Sequence, residues 1–146
     1  MDEDLNEYFA SVFTKEKDVV DGECRKEDGD ILGHVEIKKE VLEVSKNIKV
    51  DKSPGPDRVY PRILREAKEE IAEALAKIFV SCLATGEVPK DWGIANIVPL
   101  FKKGRRDNLG NYRPVSLTSV VGKLLEKILR DRMYSHLEEN RLISDG

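Results

Sequence analysis

Apolar positions recur at three- and four-residue intervals over several stretches of the chain, the spacing that gathers them on one face of a helix. Residues 5–13 bring Leu5, Phe9 and Val12 together, and residues 37–48 do the same with Ile37, Val41, Val44 and Ile48. The clearest pattern covers residues 62–85. There Ile63, Leu64, Ala67, Ile71, Leu75, Ile78, Phe79 and Leu83 make a broad apolar face, with Lys68, Glu69, Glu73 and Lys77 away from it. Gly86 follows, where a helix end favours a residue that accepts positive φ. A last helix is predicted to about residue 139, with Val121, Leu124, Leu125, Ile128, Leu129, Met133 and Leu137 inward. Thr118 or Ser119 caps it by accepting a hydrogen bond from a free backbone N–H.

Ahead of that helix the period changes. Ile94, Ile97, Val98, Leu100 and Phe101 form a near-continuous apolar run, predicted to be a buried strand, and Pro99 within it calls for an edge position or a bulge. Residues 102–111 are rich in turn formers (Gly104, Asp107, Asn108, Gly110, Asn111), and residues 112–116 form the partner strand. The expected class is therefore mainly α with a small β-hairpin (α+β): four helices, with the hairpin between the third and fourth. Residues 15–33 are polar and show no period, so a flexible acidic linker over 15–35 is expected between an N-terminal helix (1–14) and the main region (36–146). Residues 51–61, DKSPGPDRVYP, hold three prolines and a glycine that deny regular structure, and Pro61 suits the first turn of a helix.

A chain of 146 residues buries one modest core. With 40% hydrophobic and 36% charged residues it is soluble in character, and no apolar stretch has the length to cross a bilayer, so no membrane partner is expected. The acidic N-terminus is unlike a signal peptide, which implies an intracellular protein of nucleus or cytoplasm, not a secreted one. Cys24 and Cys82 lie far apart in unlike settings and read as free thiols. Charge is uneven: residues 1–48 hold 7 Lys/Arg against 14 Asp/Glu, residues 49–134 hold 17 against 11, and residues 135–146 hold 1 against 3. A basic middle between acidic ends points towards polyanions, or is a mixed solvated surface.

The candidate chemistry lies in that middle. Lys102, Lys103, Arg105 and Arg106 stand at the hairpin tip, with Arg113 returning beneath them. An Arg offers a planar fork of donors to phosphate oxygens and a Lys a point charge. Gly55-Pro56-Asp57 serves chiefly as a turn ahead of a helix, with Lys52 beside it as an added phosphate contact. Trp92 reads as a core anchor, and Tyr112 either packs or lines a nucleotide site. His34 and His136 are isolated from other ligand types, so no metal site is expected. Neither a Walker-type phosphate loop nor a dinucleotide fingerprint is present, and no Ser-His-acid set suggests a catalytic residue.

Several segments together carry a resemblance: LNEYFASVF, DKSPGPD, IFVSCLATGEVPKDW, IVPLFKKG and NYRPVSLTSVVGKLLEKIL. In this order they resemble the connector, the early turn and the first fingers motifs of reverse transcriptases of non-LTR (LINE-type, Jockey-like) retrotransposons. The resemblance implies a partial fingers subdomain of a right-hand polymerase with its N-terminal extension. Carried over by position, the nucleotide-handling residues are Lys102 or Lys103, and Arg113. They would hold the incoming deoxynucleotide triphosphate or the template backbone. Two positions depart from the pattern: Arg58 stands where Gly usually follows GPD, at a cost if φ is positive there, and Gly93 stands where a basic residue usually follows the Trp. The palm, whose aspartates would bind two Mg2+ ions, is expected to be missing, so no cofactor is expected in this fragment and no polymerase activity from it alone. RNA or an RNA–DNA hybrid is the expected partner, with self-association through exposed apolar surface. The alternatives are a co-opted helical protein-interaction module or a nonfunctional relic.

Overall fold

The structure, a computed structural model, describes residues 2–12 and 34–141. In chain order the elements are α1 (Asp2–Val12), α2 (His34–Lys46), α3 (Pro61–Glu66), α4 (Lys68–Thr85), β1 (Ala95–Phe101), β2 (Tyr112–Thr118) and α5 (Val120–Glu139). Short 3-10 turns cover Lys90–Gly93 and Leu109–Asn111. The expected class holds: mainly helical, with β1 and β2 paired as a two-stranded sheet. Most of the segment expected to be a linker lies outside the described residues.

Contacts divide the chain into two compact units. One comprises Ile31–Asn96 and Leu117–Gly146. Its core is a helix-on-helix layer in which Ile37, Val41 and Val44 of α2 meet Ala72, Leu75, Ala76, Phe79 and Cys82 of α4, with Leu124, Leu125 and Ile128 of α5 in the same cluster. Ala72 and Ala76, one turn apart and fully buried, leave room for α2 to lie close along α4. Trp92 anchors this core as expected. Its ring meets Phe79 edge-on at 5.9 Å, and its Cβ lies 3.4 Å from where a side chain on Gly122 would begin. Across the layer, Arg132 Nε donates to both oxygens of Glu40 at 2.9 and 3.0 Å, tying α5 to α2.

The other unit comprises Met1–Asp30 and Ile97–Ser116. Within it α1 rests on the Leu109–Asn111 turn. Leu5 and Phe9 are buried, as their spacing predicts. Val12, placed on the same face by that spacing, is instead 63% exposed in the last turn of α1.

Three other expectations are corrected. The predicted third helix is two helices: Ala67, with φ −97° and ψ 22°, leaves helical geometry between α3 and α4. The apolar spacing continues through this break without a change of phase, so the hydrophobic pattern holds no sign of it. The apolar face is also narrower than predicted, because Ile63 and Ile78 are exposed. Finally, the strand read as buried is not. Ile94, Ile97, Val98 and Leu100 are all exposed, because a lone two-stranded ribbon has two faces and the described residues supply no second layer to cover them. No helix among the described residues is long and apolar enough to cross a membrane.

Candidate nucleic-acid interface

The hairpin register follows from one bond. Lys102 N–H donates to the Asn111 carbonyl at 2.8 Å, which sets Phe101 opposite Tyr112, and their rings meet at 5.4 Å. Further along the antiparallel pair, Leu100 stands opposite Arg113 and Pro99 opposite Pro114. Opposed pairs alternate between bonded and non-bonded in such a ladder. Lys102 with Asn111 is a bonded pair, so Pro99 with Pro114 is a non-bonded one. Neither proline therefore removes a ladder bond. Both present their ring nitrogens at the outer edges of the ribbon.

The loop is locked by its own side chains. Gly104 has φ 94°, and a Cβ there would meet Asn111 Nδ2 at 2.7 Å, so this position needs glycine twice over. Asn111 Nδ2 donates to the Arg105 carbonyl at 2.8 Å. Asn108 Oδ1 accepts from Gly110 N–H at 3.0 Å. The Tyr112 hydroxyl donates to the Arg106 carbonyl at 3.0 Å. Tyr112 thus packs and braces the loop, one of the two roles its position allowed.

The five candidate cations do not converge. Arg105 is held in a two-bond pair by Asp107, Nε to Oδ1 at 3.1 Å and Nη2 to Oδ2 at 2.5 Å. Arg106 lays its guanidinium over the Phe101 ring, 5.3 Å from the centroid. Phe101 and Tyr112 share one face of the ribbon, so strand alternation puts Leu100 and Arg113 on the other. Lys102, Lys103 and Arg113 are exposed and form no ion pair among the described residues. Sequence reasoning missed Asp107 as a partner. Its signal was present in the Arg-x-Asp spacing, which lets a carboxylate two residues on reach back to the guanidinium.

The GPD turn lies in the helical unit and does a structural job there. Arg58 N–H donates to the Gly55 carbonyl at 3.1 Å, closing a turn. Asp57 Oδ1 accepts from Val59 N–H at 3.2 Å, and Asp57 Oδ2 accepts from the Ser119 hydroxyl at 2.5 Å. Ser119 in turn accepts from Gly122 N–H at 3.2 Å, so it is the cap of α5. Gly55 lies so close to the chain before α5 that an added Cβ would stand 2.5 Å from the Thr118 carbonyl carbon. Arg58 adopts φ 55°, the left-handed geometry that glycine accepts more easily. Lys52 is exposed beside this turn. Among the described residues no group of three or more His, Cys, Asp or Glu is gathered in a way fit to hold a metal ion.

No protein-family model matches the chain. Individual relatives do. Over 107 residues the chain is 32% identical to the probable RNA-directed DNA polymerase from transposon BS of Drosophila melanogaster, a match covering 73% of this chain and 12% of that protein. It is 35% identical over 96 residues to the retrovirus-related Pol polyprotein from type-1 retrotransposable element R1 of Bradysia coprophila, covering 64% and 10%. It is 33% identical over 95 residues to the RNA-directed DNA polymerase from mobile element jockey of Drosophila melanogaster, covering 64% and 10%. The matched segments span only 10% to 12% of the length of these relatives. The chain is a sequence relative of the RNA-directed DNA polymerases of non-LTR retrotransposons.

Proposed function

We propose that this chain is a fingers segment of an RNA-directed DNA polymerase, and that its hairpin holds phosphates of the template or of an incoming deoxynucleotide triphosphate. Within that role the cations divide. Lys102, Lys103 and Arg113 contact phosphate. Arg105 and Arg106 shape the loop that presents them. The observation that carries this reading is a loop locked by side-chain bonds with unpaired, exposed cations at its base and flank. Fixed cations replace the counterions of a polyanion, and a pre-shaped loop loses little conformational freedom on binding. Polymerisation itself belongs, on this reading, to the longer protein of which the relatives are examples, with catalytic carboxylates supplied outside the present segment.

Binding of a labelled RNA–DNA hybrid across a salt series tests this. Replacing Lys102, Lys103 and Arg113 together by Ala should weaken binding and make the slope of log K against log salt shallower by roughly two to three, close to one for each phosphate no longer neutralised. Removing the paired charges Arg105 and Asp107 together leaves the net charge unchanged and should leave that slope unchanged. Equal losses from the two variants would refute the division of roles. An unaltered slope in the triple variant would refute the phosphate role itself.

A further inference from the structure

We propose that α1 is an acidic strap on the hairpin tip, and that it weakens the hold of the basic loop on polyanions. This rests on the phosphate-binding reading above and adds a control to it. The helix carries Asp2, Glu3, Asp4 and Glu7 and no basic residue. It belongs to the same compact unit as the hairpin. Its apolar side is spent on docking: Leu5 and Phe9 are 4% and 6% exposed, and the helix rests on the Leu109–Asn111 turn. The Tyr8 hydroxyl lies 3.7 Å from where a Cβ on Gly110 would stand. Tyr8 also shares an open groove with Arg105, Asp107, Asn108 and Leu109. Glu3 and Glu7 are therefore carried on a helix docked beside a loop whose own charges are Lys102, Lys103, Arg105 and Arg106 against Asp107.

A phosphate chain approaching that loop meets their field. Glu3 and Glu7 are exposed. Leu5 and Phe9 fix the inner side of the helix, and the spacing of Glu3 and Glu7 turns them from it. Across a helix thickness of about 12 Å their repulsion of a phosphate is weak singly, but it adds over several phosphates at low salt. The strap also has a route of release, because burying two apolar side chains in one helix is a small attachment that a competing polyanion can offset.

The experiment measures affinity of the full chain for a short labelled single-stranded RNA at low and high salt, in wild type, in Glu3→Gln/Glu7→Gln, and in Leu5→Ala/Phe9→Ala. The first variant keeps the docking side chains and removes charge. The second undocks the helix and retains its charge. Both should bind roughly threefold more tightly than wild type at low salt, with the difference vanishing at high salt where the field is screened. The undocked variant should also exchange the backbone amides of Leu109–Asn111 faster. Wild-type binding with both variants equal or weaker would overturn the strap and leave the phosphate-binding reading standing. No binding by any of the three at low salt would remove that reading and the strap with it.

Discussion

Replacing Gly55 by Ala offers a sharp test, because two effects oppose each other and the structure says which wins. Gly55 is not among the glycines with positive φ. On backbone grounds alone, Ala would stiffen the unfolded chain and raise stability by about 0.4–1 kcal/mol. The site forbids this. A Cβ would stand 2.5 Å from the Thr118 carbonyl carbon, 2.6 Å from Ser119 N and 2.6 Å from the Thr118 oxygen. All three are backbone atoms, so no side chain can swing away and the turn must move off α5. Forced displacements of this kind cost about 1–3 kcal/mol. The movement also pulls Asp57 from the Ser119 hydroxyl, a half-buried bond to a charged group worth about 1.5 kcal/mol at the lower end of its range. The net is a loss of roughly 3 kcal/mol, or on the order of 10 °C in thermal midpoint for a domain of this size. Thermal and urea melts followed by circular dichroism would measure it. Gly93→Ala is the matched control, since nothing lies within 4 Å of its added Cβ and its φ is not positive. A Gly55→Ala protein that melts at or above wild type, or a like shift in the two variants, would refute the predicted clash.

Two further outcomes follow from the backbone and the core. Arg58 sits at φ 55°, so Arg58→Gly should raise stability by about 0.5–1 kcal/mol despite its greater unfolded-state freedom; a lower urea midpoint would show that the Arg side chain stabilises the turn in some other way. Burial lifts the Cys82 thiol above its ordinary range, with a backbone hydrogen bond partly opposing. A raised folded value contributes stability that is complete below the unfolded thiol pKa and is lost as pH climbs through the folded one. The urea midpoint should therefore fall at alkaline pH more steeply in wild type than in Cys82→Ala, and parallel profiles would refute the shift.

Local signals in the sequence were read well where the cause is local. The cap at Ser119, the left-handed Gly86, the core face of α2 and the first half of that of α5 each follow from residues within a turn or two of one another, whereas Met133, expected inward further along α5, is 64% exposed. The resemblance went further at Arg58, where a missing glycine flagged a strained position that the backbone bears out. What escaped was relational. Periodicity tells which side of β1 is apolar, not whether anything covers it, so an exposed ribbon read as a buried strand. The GPD turn read as a local device, yet its glycine and aspartate answer to Thr118 and Ser119, some sixty residues away in the chain. In the basic cluster, composition counted five equal cations. Geometry separates those tied to Asp107 and Phe101 from those without a partner.

The opposed prolines of the hairpin reach beyond the hairpin itself. An apolar strand with open edges is ordinarily a seed: a neighbouring chain adds a strand, and the addition repeats into fibres. Here one rung of each outer edge, next to the middle of the strand, has no N–H to offer, and the same two residues leave the inner ladder whole. Growth by strand addition would therefore stall on either side of the ribbon. The exposed apolar side chains of β1 therefore lie on a ribbon whose rim resists being copied strand by strand.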